Sequence, residues 1–347
     1  MGLSYVFMRK TYGSPYEKLR DSEERSRGKE CTVLDHLGRD IHYLRMSLTE
    51  RCNLKCIYCR DESAYCKAKE ELNTEQYRIL VRQFVRLGIR KVRLTGGEPL
   101  VRKDLTEIVR MIAAYDEIRD LSMTTNAQGL AARLPELKQA GLKRINISLD
   151  SLDTERYSRM TRGGNLQQVF DAVEAAIREE LPVKINTVLI RGENDKEADD
   201  FIRLARDYPL DVRFIELMPI GKLGESGERR VMNREILERH PELYPAEPRY
   251  LSQPSEDYTA DGFRGRVGLI SPISHRFCKD CNRVRLTSDG KLKMCLGQTQ
   301  ETDLMPYLTG NGQKLLEVMR SAIYAKPEEH QFDELFHSNR TMNQIGG

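Results

Sequence analysis

Six of the cysteines in this chain fall into two tight groups. Cys52, Cys56 and Cys59 are spaced C-x3-C-x2-C in RCNLKCIYCR, and Cys278, Cys281 and Cys295 are spaced C-x2-C-x13-C in FCKDCNRVRLTSDGKLKMCL. Each group offers three thiolates and no obvious fourth. Three thiolates hold three irons of a [4Fe–4S] cluster and leave the fourth iron open to an outside ligand. Tetrahedral zinc more often takes one C-x2-4-C pair matched by a second pair. A zinc site completed by a distant residue, or cysteines that are simply buried, are the plainer readings. Cys31 and Cys66 fall outside both groups and are assigned no role, and the six histidines form no metal-binding pattern.

Lysines and arginines make a second constellation. Arg45 lies in YLRMSLT, Lys91 and Arg93 in IRKVRLT, Lys184 in PVKINTVLI, Arg213 in DVRFIEL, and Arg283 and Arg285 follow the second cysteine pair. Residues two apart on a strand share a face, so Lys91 and Arg93 point the same way. Charges on an inner face are costly unless an anion meets them, and clustered arginines make bidentate bonds to phosphate. The bland alternative is that these groups face solvent or pair with nearby carboxylates. Shorter signals lie between. TGGEP places Gly96 and Gly97, which let backbone approach a ligand closely, before Glu98, whose carboxylate suits an ammonium; taken alone it is a turn. Thr125 and Asn126 in MTTNAQG, and Ser148 and Asp150 in NISLD, sit where strands should end. Such residues address a ligand or cap a helix, as Asp153 and Thr154 could.

These residues need a frame. β-branched runs at 43–49, 89–95, 118–125, 143–150, 182–190 and 211–217 alternate with helix-like segments such as NTEQYRILVRQFVRLG, DLTEIVRMIAAYD, LAARLPELKQAG, NLQQVFDAVEAAIREE and DKEADDFIRLARD. Strands alternating with helices predict parallel βα units, in an open sheet or an incomplete barrel, with the chemistry where strands end. Beyond residue 218 the rhythm loosens. GRVGLISPI, VRLTSDG and KLKMCL read as strands, TSDG as a hairpin turn, and 311–324 as a helix. The expected division is a polar N-terminal arm at 1–34, the βα unit at 35–217, and a transition plus small C-terminal unit at 218–347. Composition is that of an ordinary folded protein, 39% hydrophobic and 31% charged, and a formal charge of +3 is too balanced to argue for a nucleic-acid partner. No run approaches the roughly 20 apolar residues of a membrane span, and the first residues lack a signal-peptide core. Cytoplasm is the expected compartment, where grouped cysteines read as metal ligands rather than disulfides.

The C-x3-C-x-aromatic-C pattern, with Tyr58 as the aromatic, resembles the signature of radical S-adenosylmethionine enzymes. The resemblance implies that the open iron chelates the amino and carboxylate groups of S-adenosylmethionine. Reductive cleavage then yields a 5′-deoxyadenosyl radical. It also implies that Tyr58, Gly96, Gly97, Glu98, Thr125, Asn126, Ser148 and Met218 surround this cofactor. Relatives usually carry TTNG where this chain has Ala127, so the loop cannot rely on that glycine. The second cysteine set with its R-x-R, the stretch LDHLGRDIHYLRMSLTERCNLKCIYC and the closing IGG are similar to the GTP 3′,8-cyclase family of molybdenum-cofactor biosynthesis.

That resemblance implies an α/β fold, an incomplete (βα)6 triosephosphate-isomerase-like barrel, with a small C-terminal unit carrying a second [4Fe–4S] cluster. Arg45, Lys91, Arg93, Lys184, Arg213, Arg283 and Arg285 would hold GTP, the last two being the catalytic pair, with guanine on the second cluster's open iron. Hydrogen removal from C3′ and attack on C8 would give (8S)-3′,8-cyclo-7,8-dihydroguanosine 5′-triphosphate. A separate synthase would turn it into cyclic pyranopterin monophosphate. An unidentified reducing electron donor, a homodimer, and a tail at Gly346 and Gly347 that reaches the active site are further implications. Asn282 is a further candidate contact, while His275 and Arg276 read as supporting groups or as packing. Rival readings are a peptide-modifying radical enzyme, a zinc-bearing nucleic-acid module and a noncatalytic iron–sulfur scaffold.

Overall fold

The six β-branched runs form strands β1 (Tyr43–Ser47), β2 (Lys91–Thr95), β3 (Asp120–Thr125), β4 (Arg144–Ser148), β5 (Val183–Val188) and β6 (Asp211–Ile215). The computed structural model describes residues 32–59, 70–250, 252–332, 336 and 338–346. Cys31, Cys66, Gly347 and most of the expected N-terminal arm lie outside the described residues. Helices α1 (Thr74–Arg86), α2 (Leu105–Ala113), α3 (Leu130–Gln139), α4 (Thr154–Thr161), α5 (Leu166–Arg178) and α6 (Ala198–Asp207) join the strands. Helix α1 shows why these boundaries arise. Asn73 accepts from the Gln76 backbone N–H while the Gln76 side chain accepts from Asn73 N, both at 2.9 Å, a reciprocal cap. Tyr77, Leu80, Val81 and Phe84 then bury one face at helical spacing. Helix α4 was not expected as an element, but Asp153 does cap it, accepting from Arg156 N at 2.8 Å.

Strands β1 to β6 pair in sequential order and all run parallel. Residues beyond 218 supply α7 (Lys222–Glu225), α8 (Asn233–Arg239), β7 (Tyr244–Pro245), β8 (Glu256–Thr259), β9 (Val267–Ile270), β10 (Arg283–Leu286), β11 (Lys291–Lys293), β12 (Thr302–Asp303), α9 (Gln313–Tyr324) and α10 (Met342–Ile345). Their strands extend both edges of the first six. Strand β9 runs parallel to β6, and β10 runs parallel to β1. The pairs β7–β8, β8–β9, β10–β11 and β11–β12 are antiparallel, completing a sheet of twelve strands among the described residues.

Alternation along these strands divides apolar from charged. Leu44, Met46, Val92, Leu94, Leu121, Met123, Ile145 and Ile147 are buried in the main apolar core. The intervening residues form polar rows on the other face. Register sets Arg285, Arg45, Arg93 and Ser122 abreast across β10, β1, β2 and β3. It sets Ser148, Asn186, Arg213 and Gly268 abreast across β4, β5, β6 and β9. A single cavity is lined from β1 to β6, β9 and β10 together, which requires the sheet to curl around it. Toward the strands' N-terminal ends a buried ionic floor closes that space. Arg144 donates to Asp120 at 2.6 and 2.8 Å, and Asp211 takes Lys184 at 3.0 Å and Arg249 at 2.7 Å. No helix among the described residues is long and apolar enough to cross a membrane.

Candidate active site

The loop after β1 carries Cys52, Cys56 and Cys59, and neighbouring backbone fixes its path. Gly97 N donates to Thr49 O at 2.7 Å and Glu98 N to Arg51 O at 2.8 Å. A Cβ on Gly97 would lie 2.2 Å from Arg51 O, and one on Gly96, at φ +147°, 2.6 Å from Thr49 O. The two glycines therefore let this turn lock against the cysteine loop, a use of small residues that their sequence alone left to ligand approach. Lys55 N and Ile57 N donate to Thr161 O and Met160 O at the end of α4. The Tyr58 hydroxyl donates to Asp150 Oδ2 at 2.8 Å, while Asp150 Oδ1 accepts from Val188 N at 2.9 Å. Burial lifts the Asp150 pKa to about 6. Asp150 thus orients the tyrosine and does not itself line the cavity, whereas Ser148 does.

Glu98 is buried, and both its oxygens are engaged. Oε1 accepts from Thr125 Oγ1 at 2.7 Å and Leu100 N at 3.0 Å, and Oε2 accepts from Asn126 N at 2.7 Å. Burial raises its pKa to about 7 despite these donors. Ala127 sits at φ +63°, so the loop keeps a left-handed backbone there without the usual glycine. Asn126 Nδ2 approaches Cys52 Sγ at 3.8 Å, and Leu54 N donates to the same sulfur at 3.4 Å. Burial, then Asp150 and the two neighbouring thiols, push the Cys56 thiol well up.

The second set is held by the β10–β11 hairpin. Arg285 pairs with Lys293 in register, so Cys281, just before β10, and Cys295, just after β11, meet at the same end. Lys326 Nζ ties the hairpin by donating to Arg283 O at 2.9 Å and Met294 O at 2.6 Å. Arg39 reaches Cys278 O at 2.9 Å and Pro327 O at 2.7 Å, steadied by Asp35 Oδ2 at 2.6 Å. Burial alone would raise the Cys281 thiol, but Arg283 and Lys326 outweigh it and bring the pKa down to about 6. All six cysteines are partly exposed and line the one cavity. Among the described residues no group of three or more His, Cys, Asp or Glu is drawn together tightly enough to hold a metal ion.

Five of the expected cations share this wall: Arg45, Arg93, Arg213, Arg283 and Arg285. Burial brings Arg45 and Arg93 down to about 9 and Arg285 to about 10. Arg213 is buried, and among the described residues its Nε and Nη2 have no hydrogen-bond partner. Lys91 and Lys184 do not reach the wall. Lys91 lies one pleat below Arg93, its Nζ over the Tyr250 ring at 4.1 Å, and Lys184 is held in the floor by Asp211. Strand phase gave their face correctly; their depth follows from register. The Asn282 side chain faces away toward His42, with Nδ2 and Nε2 3.0 Å apart. His275 is exposed near Glu256, and Arg276 pairs with Glu329. Met218 lines the cavity, as do Tyr58, Gly96, Gly97, Glu98, Thr125 and Asn126. Gly346 reaches the same place: its carbonyl accepts from Arg285 Nη1 at 2.7 Å and from Arg45 Nη2 at 3.3 Å.

Several wall residues escaped the sequence reading: Asn186, Val188, Ile215, Phe277, His330 and Phe332. Asn186 and Val188 follow Lys184 at period two, so strand phase could have found them. His330, bonded to Pro272 O at 2.8 Å, and Phe332 come from irregular chain and carry no such signal.

A curled βα sheet with three cysteines after its first strand defines the radical S-adenosylmethionine superfamily, whose profile matches residues 46–205. The Molybdenum Cofactor Synthesis C profile matches residues 210–332. A GTP 3′,8-cyclase of Alkaliphilus oremlandii is 49% identical over 319 residues, 90% of this chain and 99% of that protein. The GTP 3′,8-cyclases of Clostridium botulinum and Listeria monocytogenes are 44% identical over 324 residues and 41% over 329, covering 91% and 90% of this chain and 100% and 98% of theirs. The chain belongs to the GTP 3′,8-cyclase family. Streptococcus suis SuiB shares the fold, with a TM-score of 0.57 at 16% identity over 93% of this chain and 74% of that one.

Proposed function

We propose that this protein converts GTP to (8S)-3′,8-cyclo-7,8-dihydroguanosine 5′-triphosphate, the first step of molybdenum-cofactor biosynthesis. One observation carries the reading: two three-thiol sets and five arginines open onto the same cavity. A triphosphate answers the arginines, and six soft sulfur donors suit iron. Cys52, Cys56 and Cys59 would hold one [4Fe–4S] cluster and Cys278, Cys281 and Cys295 a second. The chemistry supplied there, when bound, is reductive cleavage of S-adenosylmethionine to a 5′-deoxyadenosyl radical that takes hydrogen from C3′ of GTP.

The chain's own part is placement. Glu98 would meet the cofactor's ammonium while its other bonds hold Thr125 and Asn126 at the cavity edge. Gly96, Gly97, Tyr58, Ser148 and Met218 would complete that pocket. Arg45, Arg93, Arg213, Arg283 and Arg285 would grip the triphosphate, with Lys91 and Lys184 beneath them adding charge from the floor. Arg283 and Arg285 follow directly from the second thiol set and so tie the phosphates to the guanine end. Val188, Ile215, Met218 and Phe332 give the wall an apolar side that keeps water from the radical.

In this reading residues 35–217 form an incomplete barrel and 218–347 close it with the second cluster. The protein works in the cytoplasm as a homodimer, takes electrons from a separate reductant and hands its product to a cyclic pyranopterin monophosphate synthase. Anaerobic turnover with GTP or ATP tests the substrate. Cyclised product from GTP alone is expected, and 5′-deoxyadenosine formed without any nucleotide product would overturn the assignment.

A further inference from the structure

A buried ionic hub lies outside the substrate wall. Arg340 is 7% exposed and meets carboxylates from three parts of the chain. Its Nε and Nη2 donate to Glu301 at 2.7 and 2.8 Å, Nη2 also donates to Asp289 at 3.0 Å, and Nη1 lies 3.6 Å from Glu50. Asp289 belongs to the β10–β11 turn, Glu301 immediately precedes β12, and Glu50 stands two residues before Cys52. Ionic hubs of this kind seldom outdo apolar packing in stability, so their use lies in fixing one arrangement.

The arrangement fixed here is the path of the last residues. Just after Arg340, Asn343 Nδ2 donates to Glu50 O at 2.9 Å and Gln344 Nε2 to Glu50 Oε2 at 3.3 Å. Helix α10 then ends at Gly346 with φ +69°, where a Cβ would lie 2.1 Å from Thr95 Oγ1. Its carbonyl sits between Arg45 and Arg285, which face each other in register across β1 and β10. Two partly buried guanidiniums so placed repel. A neutral carbonyl accepting one N–H from each holds both in place.

We propose that Arg340 is a positioning residue: by clamping Glu50, Asp289 and Glu301 it seats residues 340–346 so that the Gly346 carbonyl aims Arg45 and Arg285 at the substrate phosphates. This rests on the reading of the cavity as a GTP site. It also makes the tail sense both cysteine loops, since Glu50 leads into the first and Asp289 lies in the hairpin of the second.

Hydrogen–deuterium exchange on the purified chain, without substrate, reads the clamp independently of activity. Arg340→Gln is expected to speed exchange of the 341–346 amides by about tenfold, with β3 amides unchanged. In reconstituted enzyme the same change should raise the KM for GTP by about tenfold while leaving that for S-adenosylmethionine in place. If Arg340→Gln fails to fold, the double substitution Asn343→Ala and Gln344→Ala, which spares the hub and cuts the tail from Glu50, carries the same two readouts. Unchanged tail exchange would overturn the clamp, and faster exchange with an unaltered KM for GTP would overturn the aiming of the arginines. Failure of the unsubstituted protein to act on GTP would count against the cavity reading itself, with the exchange result still deciding the clamp.

Discussion

Glu98 and Lys184 show how burial sets the working charge of single residues here. The Glu98 pKa near 7 means that its anion grows from a minority at pH 6 to a majority at pH 8. A cofactor ammonium needs that anion. The affinity of the wild-type protein for S-adenosylmethionine, relative to Glu98→Gln, should therefore rise roughly tenfold over this interval in anaerobic equilibrium binding. Lys184 is pressed down to about 7 by burial and then by Arg213, outweighing Asp211. At pH 8 it is mostly neutral, and an arriving polyphosphate would recharge it. Calorimetry of GTP binding in buffers of different ionisation enthalpy should show uptake of up to about one proton at pH 8, absent in Lys184→Met. The six clustered cysteines and five wall arginines were legible because each lies in a short motif or a phased strand. Asn186, two residues after Lys184, shares its strand phase but carries no charge to mark it. The engagement of both Glu98 oxygens was not legible, since Thr125 and Asn126 lie 27 and 28 residues downstream.

At the scale of elements, the first six strands and the six longer helices, α9 among them, appear where alternation and helical spacing predict them. Strands β7 and β12 have two residues each, too few for alternation to register, and β8 is EDYT, with only one apolar side chain. The C-terminal strands, expected in a small unit that closes the barrel, pair with both edges of the first six strands, and β1 meets β10 across a separation of 240 residues that no local pattern encodes. The contact between the turn at Gly97 and the cysteine loop is of the same long-range kind, and it makes a sharp prediction. Gly97→Ala places a methyl against the Arg51 backbone and should cost about 2–4 kcal/mol in urea unfolding, together with lost iron uptake at the first cysteine set. Gly262→Ala, at φ +81° with nothing within 4 Å of the added carbon, should cost only about 1 kcal/mol.

The molecule as a whole places two three-cysteine sets, 226 residues apart at Cys52 and Cys278, at opposite ends of the neighbouring parallel strands β1 and β10. Under the proposed function that placement separates radical generation from substrate anchoring. Cys281→Ser with Cys295→Ser should lower reconstituted iron from about eight to about four atoms per chain. Cleavage of S-adenosylmethionine should persist in that protein while cyclisation stops. The most direct test of the account uses the intact protein, reconstituted and reduced without oxygen, with S-adenosylmethionine and GTP deuterated at C3′. Deuterium in 5′-deoxyadenosine together with a cyclised guanosine triphosphate is the predicted result; unlabelled 5′-deoxyadenosine with GTP left unchanged would contradict it.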